Sequence, residues 1–137
     1  MPKVILEVKL WQKPFSANQM HYMKYKRDTA KYKRFQCDIH EAIGGVYPIS
    51  PDDKLKLSLV TGYSSKLSDL DNAFKPLLDS MQKSMGFDDR QVFEIEALKD
   101  HTKKGEEYIM IRLETITDNQ WKRRIKNLFK NFIGDNK

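Results

Sequence analysis

Between Lys3 and Leu10 the side chains Val4, Leu6, Val8 and Leu10 alternate with Lys3, Ile5, Glu7 and Lys9. Successive side chains of an extended chain point to opposite faces, so this period of two predicts a half-buried strand over Val4–Leu10 that stops before Lys13-Pro14. Phe15 to Met23 carries no clear period and reads as a loop. From about Arg27 a helix places Phe35, Ile39, Ala42 and Ile43 on one stripe until Gly44-Gly45 ends it. Lys54-Leu55-Lys56-Leu57-Ser58-Leu59-Val60 alternates strictly and predicts a second strand, closed by Gly62-Tyr63-Ser64-Ser65.

From Asp71 to Met85, Phe74, Leu77, Leu78 and Met81 recur at spacings of three and four, the signature of a helix. Pro76 lacks a backbone N–H, so it stands either near that helix's true start or at a mild kink. Gly86 supplies the left-handed stop. Gln91–Lys99 and Tyr108–Leu113 predict two further strands around the charged turn Lys103-Lys104-Gly105, paired as an antiparallel hairpin. Trp121, Ile125, Leu128, Phe129 and Phe132 share one stripe of a last helix, beside Lys122, Lys126 and Lys130. The expected fold is α+β: strand, helix, strand, helix, strand, strand, helix, with a mixed four-stranded sheet flanked by helices. One domain spans 1–137, and 117–137 form a basic C-terminal helical extension.

The 137 residues suffice for a single buried core, and 39% apolar with 32% charged residues is ordinary for a globular chain. The net charge of +6 and pI near 9.3 add a specific feature, the electrostatic footprint of a protein that meets phosphate backbones. Cys37 is the only cysteine and His21, His40 and His101 are scattered, so neither a disulfide nor a zinc site is expected. With no long apolar run and no leader pattern, the sequence predicts a cytoplasmic protein with no membrane association.

Against that positive background, Asp69, Asp71, Asp88 and Asp89 form an acidic island. Carboxylates inside a polyanion-binding surface repel the polyanion unless a divalent cation lies between them. Asp69 and Asp71 are two apart, so an extended segment projects both to one side. Magnesium prefers oxygen ligands, keeps several waters and is commonly held by one or two carboxylates with substrate phosphate. The simpler alternative makes Asp71 a helix cap and Asp88-Asp89 a solvated turn. With Asp89 at the start of the next strand, Asp69, Asp71 and Asp89 are expected to form a three-carboxylate pocket at one end of the sheet, with Asp88 outside it.

Lys75 follows Asp71 by four residues and precedes Asp79 by four, which suits either an ion pair or an ammonium beside a scissile phosphate. Lys24, Lys26, Arg27, Lys31, Lys33 and Arg34 form one basic cluster, and Lys122, Arg123, Arg124, Lys126 and Lys130 a second, both expected to contact DNA phosphates. Metal-assisted phosphodiester hydrolysis fits this inventory, since no covalent nucleophile or phosphate-binding glycine loop is evident.

Asp69-Leu70-Asp71-Asn72, Lys75, Leu77-Leu78-Asp79 and Gly86-Phe87-Asp88-Asp89-Arg90-Gln91-Val92 resemble the signature of the RusA family of Holliday-junction resolvases, as does Pro14-Phe15-Ser16-Ala17-Asn18. The likeness runs from about Val4 to Leu113 and leaves out the last helix. It implies that Asp69, Asp71 and Asp89 are catalytic acids holding Mg2+, with Mn2+ as an alternative. It also implies that Lys75 is the supporting lysine, with Asn72 and Asp88 as outer neighbours. The implied protein is a homodimer that nicks four-way DNA junctions in recombination and repair in a bacterial host, and the family's frequency in phages and prophages extends the expectation to a phage or prophage origin. Leu67-Ser68 departs from the family, where a basic residue or proline is common. The competing readings are a non-catalytic branched-DNA-binding protein and a general flap or branched-DNA nuclease.

Overall fold

The computed structural model describes residues 3–16, 29–67, 70 and 73–132. Its elements are β1 (Lys3–Leu10), α1 (Ala30–Ile43), β2 (Lys54–Tyr63), α2 (Phe74–Met85), β3 (Val92–His101), β4 (Tyr108–Ile116) and α3 (Asp118–Phe132). A short 3-10 turn, Asp89–Gln91, leads into β3. The expected element order and mixed sheet are observed. Pro76 is the third residue of α2, where its missing N–H has no helical acceptor to lose, so the helix needs no kink.

The four strands are ordered β1-β4-β2-β3. β4 lies antiparallel between β1 and β2, whereas β3 runs parallel to β2, from Leu55 opposite Val92 to Tyr63 opposite His101. This corrects the expected hairpin: β3 and β4 are consecutive in sequence, but β2 separates them. Composition explains the order. Leu55, Leu57 and Leu59 of β2 and Ile109, Ile111 and Leu113 of β4 are all buried, so these strands take the centre. β3 carries Glu94, Glu96, Lys99 and Asp100, and such charges are tolerated at an edge.

Helices α1 and α2 cover one face. Tyr32, Phe35, Ile39 and Ile43 of α1 and Leu77, Met81 and Met85 of α2 join the inward leucines and isoleucines in one core. Phe15 stacks on Tyr32 and Phe35, at ring separations of 5.6 and 5.2 Å, and closes its rim. The other face is polar and paired: Arg112 bonds Glu7 at 2.6 Å, and Lys56 and Arg124 both reach Glu94. α3 lies at the β3 edge of that outer face, held by Lys54 to Asp118 at 2.7 Å and by Trp121 edge-on to Phe93. It buries no residue fully.

Neighbouring residues on β4 test this two-faced sheet. Ile111 is fully buried and Met110 is 40% exposed. Ile111→Ala is expected to cost about 2–5 kcal/mol and Met110→Ala less than about 1 kcal/mol, measured by urea unfolding.

Candidate active site and basic surfaces

Asp69, Asp71 and Asn72 lie outside the described residues, as do Lys24, Lys26 and Arg27. The residues around the first acidic pair are described. Lys66 and Leu67 follow β2, and the Lys66 carbonyl accepts from Lys99 Nζ at 3.5 Å, near the end of β3. The Leu70 carbonyl accepts from Ala73 N–H, and Ala73 occupies the cap position of α2. The cap position of α2 belongs to Ala73, and the alternative cap, Asp71, lies outside the described residues. Lys75, in the first turn, is two-thirds exposed and pairs with Asp79 at 3.3 Å. An exposed pair of this type contributes only a few tenths of a kcal/mol, so the ammonium remains accessible to an anion.

The second acidic motif is built at the other end of α2. Gly86 takes φ 83°, the left-handed conformation that glycine adopts without side-chain strain, and stops the helix. Phe87 then drops into the core. Asp88 caps the 3-10 turn: its carboxylate accepts from Arg90 N–H at 3.0 Å and from the Arg90 guanidinium at 2.9 and 3.2 Å. The guanidinium, with the backbone N–H, holds the Asp88 carboxyl down at about 2. Gln91 completes the capping box by accepting from Asp88 N–H at 3.1 Å, and its amide donates to the carbonyls of Ser50 and Asp53. The Asp89 N–H donates to Gln82 Oε1 at 2.9 Å, while its exposed carboxylate forms no ion pair among the described residues. Asp88 is thus committed to the turn, and Asp89 is the motif's available acid.

Because β2 and β3 are parallel, α2 must carry the chain back along the sheet before β3 begins. The turn holding Asp89 sits beside Ser50 and Asp53, before β2, whereas Lys66 and Leu67 lie beyond its far end. From Leu55 to Tyr63 the paired strands span roughly 26 Å at the usual strand rise. The expected gathering of all three acids at one end of the sheet involves Asp69 and Asp71, which lie outside the described residues. Among the described residues, no group of three or more His, Cys, Asp or Glu is placed to hold a metal ion.

Around the far end of β2 stands a polar frame that sequence reasoning passed over. Glu107, only 7% exposed, accepts from the Ser64 hydroxyl at 2.6 Å and from Gly105 N–H at 2.9 Å, and the Ser64 bond lowers its pKa. Tyr108 donates its hydroxyl to Asp100 at 2.6 Å, and that carboxylate pushes the phenol up to about 12. The only signal in the sequence was an acid placed between a glycine turn and an apolar strand.

Lys31, Lys33 and Arg34 are exposed on α1, and Lys122, Arg123 and Lys126 on α3. These two groups stand on opposite faces of the sheet, so they do not merge into one patch. Arg124 is held by Glu94 at 2.9 and 3.1 Å, and Lys122 lies within electrostatic reach of Asp118.

The family model for the endodeoxyribonuclease RusA matches residues 3–114, a span that contains both acidic motifs and ends before α3. No curated protein matches the chain.

The Asp88–Arg90 pair makes a specific pH signature. Asp88 is expected to titrate near 2 by carboxyl NMR, and Arg90→Gln to move it up toward 3.8. Since the folded pKa lies below the ordinary one, the cap's stabilisation is complete above that ordinary value and is lost as pH falls toward 2.

Proposed function

The chain belongs to the RusA family of endodeoxyribonucleases, and we propose on that basis that it is a magnesium-dependent, structure-selective nuclease that resolves four-way DNA junctions as a homodimer. The observation that carries this reading is the family match across both acidic motifs, in a chain whose net charge is +6. Two equal subunits related by a two-fold axis suit a junction of approximate two-fold symmetry and allow paired nicks.

Asp69, Asp71 and Asp89 are the residues that would hold the ion. The available donors suit magnesium or manganese. They are carboxylate oxygens, while Cys37 stands alone and exposed on α1 and His40 is engaged with Ser84 at 3.3 Å. When bound, a divalent ion there offsets the charge between carboxylate and phosphate and acidifies a coordinated water. Lys75 contributes a positive charge beside the phosphate, orienting it and stabilising charge that develops in the transition state. In the hydrolysis a water oxygen forms a new bond to phosphorus, one phosphorus–sugar oxygen bond breaks, and the released oxygen takes up a proton. Lys31, Lys33, Arg34, Lys122, Arg123 and Lys126, with Lys24, Lys26 and Arg27, supply phosphate contacts that hold the junction without reading its sequence.

Incubation with labelled four-way junction, flap and plain duplex, with and without Mg2+, tests this reading. Paired nicks in the junction alone, abolished by EDTA, are expected. Asp71→Asn is expected to lower the cleavage rate at least roughly 100-fold while retaining junction binding. Equal cutting of flaps would favour the general branched-DNA nuclease, and retention of the junction without Mg2+-dependent product the binding protein. Wild-type cleavage by Asp71→Asn would remove that residue from the site.

A further inference from the structure

We propose that Lys9 and Trp11, at the end of β1, form a nucleotide-binding site in which the indole stacks on an unpaired base of branched DNA and the ammonium meets its phosphate. This rests on the nuclease reading above and adds to it a point of contact with the bases. Neither residue belongs to the acidic motifs or to the basic groups of α1 and α3.

The site is built outward from the sheet. Leu10 is buried, whereas its neighbours Lys9 and Trp11 are exposed, Trp11 at 69%. Lys9 Nζ lies 4.1 Å from the centre of the Trp11 ring and 4.4 Å from that of Tyr108, and the two rings meet at 6.2 Å and 60°. Tyr108 is the anchor. It is 9% exposed, its hydroxyl is bonded to Asp100, and its ring lies across Gly62, where a Cβ would collide with it. The indole therefore leans on a fixed neighbour while most of its own surface stays in solvent. An aromatic ordered in advance loses little conformational freedom when a ligand stacks on it.

Charge selects the ligand. Lys9, Lys13, Lys66, Lys99, Lys103 and Lys104 stand on the strand ends and connections at this end of the sheet, against Asp100, Glu106 and Glu107 among the described residues. Six lysines against three carboxylates leave a positive excess. A second copy presenting the same surface would set lysines against lysines. A polyanion that also carries flat rings satisfies both the charge and the indole, and nucleic acid with accessible bases is such a ligand. A paired duplex keeps its base faces inside the stack, whereas a branch point can release them. Aromatic stacking beside a positive track is how single strands are held without regard to sequence. Lys9 also borders a groove of about 540 Å³ on the outer face of the sheet, with Val60, Leu98 and Met110 along it, so the strand has space to continue from Trp11.

Fluorescence and binding on the full chain test the site. The chain has two tryptophans, so a Trp121→Phe variant leaves Trp11 as the only indole. With EDTA present to prevent cleavage, a short oligothymidylate and a four-way junction are expected to quench its emission and plain duplex to leave it nearly unchanged. Trp11→Ala is expected to weaken binding of both ligands roughly 5- to 100-fold without changing the salt dependence, and Trp11→Phe to retain most of the affinity. Lys9→Gln is expected to reduce the slope of log affinity against log salt for the oligothymidylate by about 0.7. Unchanged melting temperatures would show that the variants fold. Equal quenching by duplex, or wild-type affinity in Trp11→Ala, would overturn the proposal. So would a blue shift of Trp11 emission with rising protein concentration alone, which marks a second copy as the occupant, or one produced by phosphatidylserine vesicles and not by DNA, which marks a lipid surface. Failure of the nuclease reading has a different signature, quenching and tight binding by a protein that leaves junctions uncut in Mg2+.

Discussion

Parallel pairing of β2 with β3 is the constraint from which the remaining geometry follows. Parallel neighbours cannot be joined by a tight turn, so the chain leaves Tyr63 at one end of the sheet and must return to the other before Val92. Helix α2 is that return. Its inward Leu77, Met81 and Met85 bury against the sheet beside α1, which makes it a fixed spacer. Lys66 and Leu67 before the helix and the Asp88–Gln91 turn after it are held at opposite ends of the paired strands.

The charge distribution follows from the layering. On the outer face Glu7, Glu94, Glu114 and Asp118 are consumed by Arg112, Lys56, Arg124 and Lys54. The exposed Arg112–Glu7 pair contributes little stability, whereas Lys56 and Glu94 are largely shielded from solvent. Together these pairs set the electrostatics of the surface, because carboxylates neutralised there leave uncompensated lysines and arginines on α1 and α3. Among the described residues Arg123, Lys126 and Lys130 of α3 form no ion pair, while Arg124, turned to the sheet, pairs with Glu94. The chain's positive character is therefore expressed at its two flanks rather than across the sheet.

Individual elements were legible in the chain because their signals are local. β2 announces itself through the alternation from Lys54 to Val60, α2 through Phe74, Leu77, Leu78 and Met81, and its end through Gly86. Asp88 and Gln91 carry a capping-box spacing that the structure forms, so one acid of the motif serves the turn. The expected β3–β4 hairpin does not form, because adjacency in sequence does not fix adjacency in the sheet. Strand partners are chosen by burial: Ile109, Ile111 and Leu113 need neighbours on both sides, and β2 and β1 provide them.

The sequence by itself determined the element order, the inward faces, the excess of positive charge and the two motifs that mark the family, because periodicity, charge and short-range spacing are properties of neighbouring residues. Only the tertiary structure decided which strand is central, which face α3 takes, and that Asp88 serves the turn while Asp89 stays available. Those outcomes depend on distances between residues far apart in the chain, and such distances are set by how the whole core packs.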